Sequence, residues 1–155
     1  MHDEKINRKK LKFIGYISFL LGFSQAVLAY IISSYINKAT GSENVGLFYF
    51  ISYILVLIVL FEFHKIIKIF GKSNTFFASL GIQTLSLIFL SAMAPGNLTL
   101  IFLVLYIFFG SLALVCLDII LESFSTDHKS GRIRGLHLMI LDTGFILGPF
   151  LSTQL

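Results

Sequence analysis

Charged residues in this chain stop where its apolar residues begin, and that segregation repeats five times. With charges and Gly, Pro and Asn clusters as punctuation, apolar runs occupy about 13–36, 45–63, 76–94, 98–121 and 136–155. Each is close to the ~20 residues a helix needs to cross ~30 Å of hydrocarbon. The chain is 56% hydrophobic and only 13% charged, against roughly 25% charged in an ordinary soluble domain. A water-soluble globule of this size would lack the polar residues to cover its surface. The expected architecture is therefore an all-α membrane protein of five transmembrane helices, its 155 residues forming one bundle with the lipid bilayer as solvent. That leaves no room for a sizeable extramembrane domain and excludes most soluble enzymes and folded sensor domains.

The net charge of +4 suits an anionic partner, but the basic residues sit between apolar runs and form no continuous stripe, so nucleic acid is not expected. Their distribution fixes topology instead. Lys5, Arg8, Lys9, Lys10 and Lys12 precede the first run, Lys65, Lys68 and Lys72 follow the second, and Lys129, Arg132 and Arg134 follow the fourth. Between the first and second runs only Lys38 is basic, and the Pro95-Gly96-Asn97 turn carries none. Positive charge collects on the cytoplasmic side, so the N-terminus is expected there, in a multi-pass protein of the plasma or inner membrane. The first run is too long for the apolar part of a cleaved signal peptide. Short connections make successive helices antiparallel neighbours. The last run ends soon after Gly148 and Pro149 with no closing tail, which leads to the expectation of an N-terminal piece of a longer protein.

Ionisable groups inside membrane helices are costly, about 2.5–3.5 kcal/mol at mid-span, and mark candidate sites. Glu62 lies at the end of the second run, within reach of Lys65 and Lys68. Asp118 and Glu122 are one turn apart on one face, with Arg132 and Arg134 standing nearest as basic partners; they form either a solvated acidic helix end or, paired, a charge network latching the cytoplasmic side. Asp142 falls about 9 Å into the fifth run, as a cation or proton site or as an interhelical polar contact. Gly144 and Gly148, followed by Pro149, let another backbone approach closely, and Asp142 points away from that face. Smaller polar groups inside the runs are Ser18, Ser24, Gln25, Gln83, Thr84, Tyr106 and Ser111, each expected first as an interhelical hydrogen-bonding contact, with Gln25, Tyr106 and Asp142 the candidates for a translocation path. His2, His64, His128 and His137 read as interface residues without metal-ligand spacing, and Cys116 is a lone cysteine within an apolar run. No cofactor is implied. No P-loop, HExxH or GxSxG motif is present, so an enzyme is not expected.

At Gly131-Arg132-Ile133-Arg134-Gly135, followed by Gly144, Gly148 and Pro149, the chain resembles the major facilitator superfamily of secondary transporters. There a basic RG loop leads into a fifth helix carrying GxxxGP. The stretch 64–72 corresponds to the family's signature loop GxLaDrxGrk, of which Gly71 and Lys72 match while Lys68 takes the acidic position. Tyr106 stands where proton-coupled exporters carry an arginine, and Ser152 and Thr153 where paired glycines often follow the proline. The resemblance implies alternating access, with a small-molecule substrate bound at mid-membrane between two six-helix bundles and the remaining helices of the transporter as partners. The expected function is thus the N-terminal part of a secondary active transporter. The alternative is a small membrane interaction or assembly protein that docks partners through the glycine face of the fifth helix.

Overall fold

A computed structural model describes residues 2–41, 45–124 and 130–152. Its regular structure is all helical: α1 (His2–Thr40), α2 (Gly46–Phe70), α3 (Lys72–Ala92), α4 (Asn97–Glu122) and α5 (Ser130–Ser152). Among the described residues four helices are long and apolar enough to cross a membrane, namely α1 from Lys10 onward, α2, α3 and α4. The fifth span expected, α5, is not among them; Arg132, Arg134 and Asp142 interrupt its apolar positions.

The helices outrun the apolar runs because lysine, arginine and glutamate are good helix formers. α1 absorbs the basic N-terminal stretch, and α2 continues past 63 through Lys65 and Lys68. An i,i+3 ion pair of 2.6 Å between Glu62 and Lys65 lies on that extension. α2 stops at Gly71, whose φ of 79° and ψ of 147° leave the helical region and suit a residue without Cβ. The Gly71 N–H still donates to the Ile67 carbonyl at 2.9 Å, while the Thr75 hydroxyl and N–H both donate to the Gly71 carbonyl and open α3. The stretch 64–72, expected as a loop, is thus one glycine between two helices. α5 likewise begins at Ser130, so the expected RG loop forms its first turns. Lys129 and residues 153–155 of the expected fifth run lie outside the described residues. At the head of α4, the Thr99 hydroxyl accepts from the Gly96 N–H at 3.0 Å and donates to the Gly96 carbonyl at 2.6 Å, satisfying a donor that a helix start leaves open.

The chain forms two compact units, Met1–Tyr30 with Leu117–Leu155 and Ile31–Cys116. In the first, α1 and α5 meet backbone to backbone. A Cβ on Gly144 would stand 2.6 Å from the Phe19 carbonyl oxygen and 2.7 Å from the Phe23 nitrogen; one on Gly148 would collide with Ala26, and one on Gly22 with the Leu141 carbonyl. The glycine face expected to meet helices beyond the chain is therefore occupied by α1. In the second unit α2 packs on α3, and Phe89 of α3 stacks on Phe102 of α4 with ring centroids 4.8 Å apart. The end of α1 joins them through Ser33 and Tyr49, 3.3 Å apart, and through the Tyr35 hydroxyl on the Met93 carbonyl. Burial is inverted relative to a soluble protein: Phe61 is 76% exposed, whereas Ser18 and Ser52 are fully enclosed.

Candidate functional site

The most polar interior belongs to the second unit and is built on α3. Its buried residues are Thr75, Phe76, Ser79, Gln83, Ser86 and Leu90. Thr75, Ser79, Gln83 and Ser86 recur at steps of four, four and three, which places them on one helix face. Phe77, Leu85 and Ile88 lie exposed on other faces of the same helix. A helix in water would invert this order. In hydrocarbon the apolar side faces solvent without penalty and the polar side turns inward to find partners. Several of these hydroxyls bond within their own helix: Thr75 donates to the Gly71 carbonyl and Ser86 to the Ile82 carbonyl, at 2.9 and 2.8 Å. Their protons are thereby engaged while oxygen lone pairs remain to accept.

Tyr106 of α4 belongs to this interior. It is 5% exposed, and its hydroxyl is the one buried side-chain polar atom among the described residues without a partner at hydrogen-bonding geometry. Gln83 of α3 approaches as its nearest hydrogen-bonding side chain without reaching full geometry, and Tyr49 of α2 acts on it electrostatically. A buried hydroxyl left unpaired loses about 1–3 kcal/mol, so a group that reached it with a donor or acceptor would recover that energy. α4 provides a firm mount, because 44% of its span is buried against 17% for α2. Of the residues named for a translocation path, Tyr106 lies in this unit, while Gln25 and Asp142 lie in the first. Gln25 is half-buried and Asp142 exposed.

The first unit holds a charged cluster at the end where α4 finishes and α5 begins. Arg134 donates to Asp118 at 2.5 Å. Arg134 and His137 are i,i+3 on α5, and both Asp118 and Arg134 act electrostatically on the His137 ring. His137 is buried, with its Nδ1 2.8 Å from the Ser18 hydroxyl of α1. That hydroxyl also donates to the Ile14 carbonyl at 2.7 Å. A serine has one proton to give, so with it on Ile14 the histidine ring must be the donor to Ser18, which sets its tautomer. Lys10 stands over the Phe124 ring at 5.1 Å, tying the start of α1 to the end of α4. Of the four residues expected to form a charge network, Asp118 and Arg134 are joined, whereas Glu122 and Arg132 are exposed nearby in sequence. Lys68 ends α2 exposed and Lys72 begins α3 half-buried, flanking the Gly71 junction.

Several of these residues were not the ones that sequence reasoning singled out. Thr84, named with Gln83, is exposed, and Thr75, Ser79 and Ser86 carry the buried face instead. His137 is an interior group, while His64 is exposed; His128 lies outside the described residues. The spacing of 75, 79, 83 and 86 was the available signal. Among the described residues no three His, Cys, Asp or Glu side chains are grouped to hold a metal ion. No family model matches the chain, and neither a curated protein nor a solved structure is similar enough to compare with it.

Proposed function

We propose that the chain works in the membrane as the N-terminal helical part of a secondary transporter of the major facilitator type, moving a small hydrogen-bonding solute by alternating access. The observation that carries this reading is the buried polar face of α3 beneath the unpartnered Tyr106 hydroxyl. Helix packing alone turns polar residues inward, and what distinguishes this face is the Tyr106 hydroxyl beside it, which a hydrogen-bonding solute would engage. The face carries hydroxyls and an amide and no ionised side chain, so it suits an uncharged solute. The Asp118–Arg134 pair serves in this reading as the cytoplasmic latch, made in one state and parted in the other, with Glu122 and Arg132 as alternative partners.

Asp142 supports a larger assembly. It is exposed on α5, and were α5 to span the membrane, a carboxylate facing lipid at depth would cost about 2.5–3.5 kcal/mol, for which further helices of the transporter would be a fitting cover. The glycine face of α5 is filled by α1, which removes the surface the interaction-protein reading relied on and equally the contact expected there with further helices of a transporter.

The test is uptake of labelled sugars and polyols by cells producing the full protein, with Gln83→Leu and Tyr106→Phe variants. Uptake of the transported solute should fall about tenfold in Gln83→Leu, as for the loss of one buried hydrogen bond. Tyr106→Phe, which removes a hydroxyl that has no partner in the empty state, should reduce uptake while leaving the protein at least as stable. Unchanged uptake of every solute in both variants defeats the reading.

A further inference from the structure

The seam between α1 and α5 is flanked by a furrow whose dimensions and charge match a lipid. Near the start of α1 an open cavity of about 660 Å³ is lined by Lys12, Gly15, Tyr16 and Phe19 on one side and by Ile140 and Thr143 on the other. A second, of about 520 Å³, continues from Phe19 to Phe23, Leu147 and Phe150. Phe19 borders both, so the two adjoin along the α1–α5 seam and together form the furrow. On α1, Lys12, Tyr16, Phe19 and Phe23 step by three or four residues with Gly15 beside them. Ile140, Thr143, Leu147 and Phe150 do the same on α5, so each wall is a single helix face. From Lys12 to Phe23 the furrow runs about 16 Å at 1.5 Å per residue, close to the ~15 Å of one leaflet of a ~30 Å hydrocarbon core.

Polarity follows the same axis. Lys12 and the exposed Tyr16 stand at the mouth, on the helix that also carries Lys5, Arg8, Lys9 and Lys10. Below Phe19 the walls are wholly apolar, and no carboxylate lines either part. The glycine contacts that draw the two backbones together leave the flanking side chains splayed, which opens the furrow beside the seam.

The geometry points to a binding site for an anionic phospholipid of the leaflet at the N-terminal end of α1, with its phosphate on Lys12 and one acyl chain along the α1–α5 furrow. A helix from a second copy would bring its own side chains against Lys12, whereas a headgroup brings the charge the mouth lacks. The lipid would brace the α1–α5 pair from outside, independently of what the second unit binds.

The experiment is native mass spectrometry of the full protein released from nanodiscs containing equal phosphatidylglycerol and phosphatidylcholine. Wild type should keep one phosphatidylglycerol under activation that strips phosphatidylcholine. Lys12→Ala should cut that retention about fivefold, the discrimination that one lysine gives an anionic headgroup. Ile140→Trp, which fills the furrow and leaves Lys12 in place, should abolish retention of either lipid, and soluble glycerol 3-phosphate should not compete. Circular dichroism of both variants verifies that helix content is kept, and Lys38→Ala, distant in sequence from the furrow, should retain lipid as wild type does. Equal retention of the two lipids, retention unaffected by Lys12→Ala, or a dimer that excludes lipid each overturns the assignment.

Discussion

The two units of this chain solve the same problem by opposite means. In a bilayer the hydrophobic effect does not press helices together, since lipid tails are as apolar as leucine; close packing and hydrogen bonds between helices must do it. The first unit relies on shape. Gly22 and Ala26 of α1 meet Gly144 and Gly148 of α5 at backbone distance, and its polar groups gather at one end around Asp118, Arg134, His137 and Ser18. The second unit spreads polar groups along the enclosed face of α3 and leaves the Tyr106 hydroxyl unpaired. A unit closed by glycines has no space to give to a ligand inside its seam, while one lined by hydroxyls keeps a capacity for hydrogen bonding it does not itself use. On the proposed transporter reading, that contrast gives rigidity to one unit and solute contact to the other.

The sharpest way to break the contrast is to add volume to each unit in turn. Gly144→Leu puts a side chain where a Cβ alone already meets the Phe19 and Phe23 backbone, and the cost should be about 1–3 kcal/mol or more, as for overpacking generally. Gly81 of α3 has open space around it, so Gly81→Leu should be neutral or stabilising by up to about 1 kcal/mol through helix propensity. Reversible unfolding in mixed micelles, followed by circular dichroism, reads both. Equal losses would mean that the glycine seam is no tighter than an exposed helix face.

Much of the first unit's chemistry was legible from spacing. Asp118 and Glu122 share a face near two arginines, and the helical angle from Gly144 separates Asp142 from the seam; in the structure Asp118 pairs with Arg134, and Asp142 is exposed while Gly144 and Gly148 are buried. The partner of the glycines was not legible, because the contact joins segments more than a hundred residues apart. The Gly22 and Ala26 spacing on α1 was the complementary signal. What the sequence did not show is that His137 is buried: counted from 136 it sits at the start of a run, but α5 begins at Ser130, which carries it two turns along the helix. In the second unit the hydroxyls of Thr75, Ser79 and Ser86 are nearly silent against an apolar background, because a serine that bonds its own helix disturbs neither length nor hydropathy. Only their common face distinguishes them.

A smaller effect is expected at the charged end. The Arg134 side chain is 58% exposed and that of Asp118 31%, so the pair contributes about 0–1 kcal/mol to stability. Asp118→Arg alone should lower stability by roughly that amount and impair transport more severely, because it places like charges at the latch. Reversing both, Asp118→Arg with Arg134→Asp, should recover stability and part of the uptake. If neither that swap nor one with Arg132 restores any uptake, the proposed latch is lost and the pair is only a surface ion pair.

The smallest effect discriminates most finely between the units, since it compares two serines of equal burial. Ser18 and Ser52 are both fully enclosed, and each donates to the carbonyl four residues back, Ile14 and Phe48 respectively, at 2.7 Å. Ser18 in addition takes a hydrogen bond across to His137. Ser18→Ala therefore strands the histidine Nδ1–H in the α1–α5 contact and should cost about 0.6 kcal/mol, the average for an interhelical hydrogen bond in a membrane. Ser52→Ala removes a bond that stays within one helix and returns the carbonyl to its ordinary helical partner, so it should change stability by less than about 0.3 kcal/mol. Nitrogen NMR of the His137 ring supplies a second reading: Ser18→Ala should shift the Nδ1 resonance, and Ser52→Ala should leave it unchanged. Were the two serines to cost the same and the ring to remain unmoved, the hydrogen bond would add nothing to the close approach of the glycines. The first unit would then be held by shape alone.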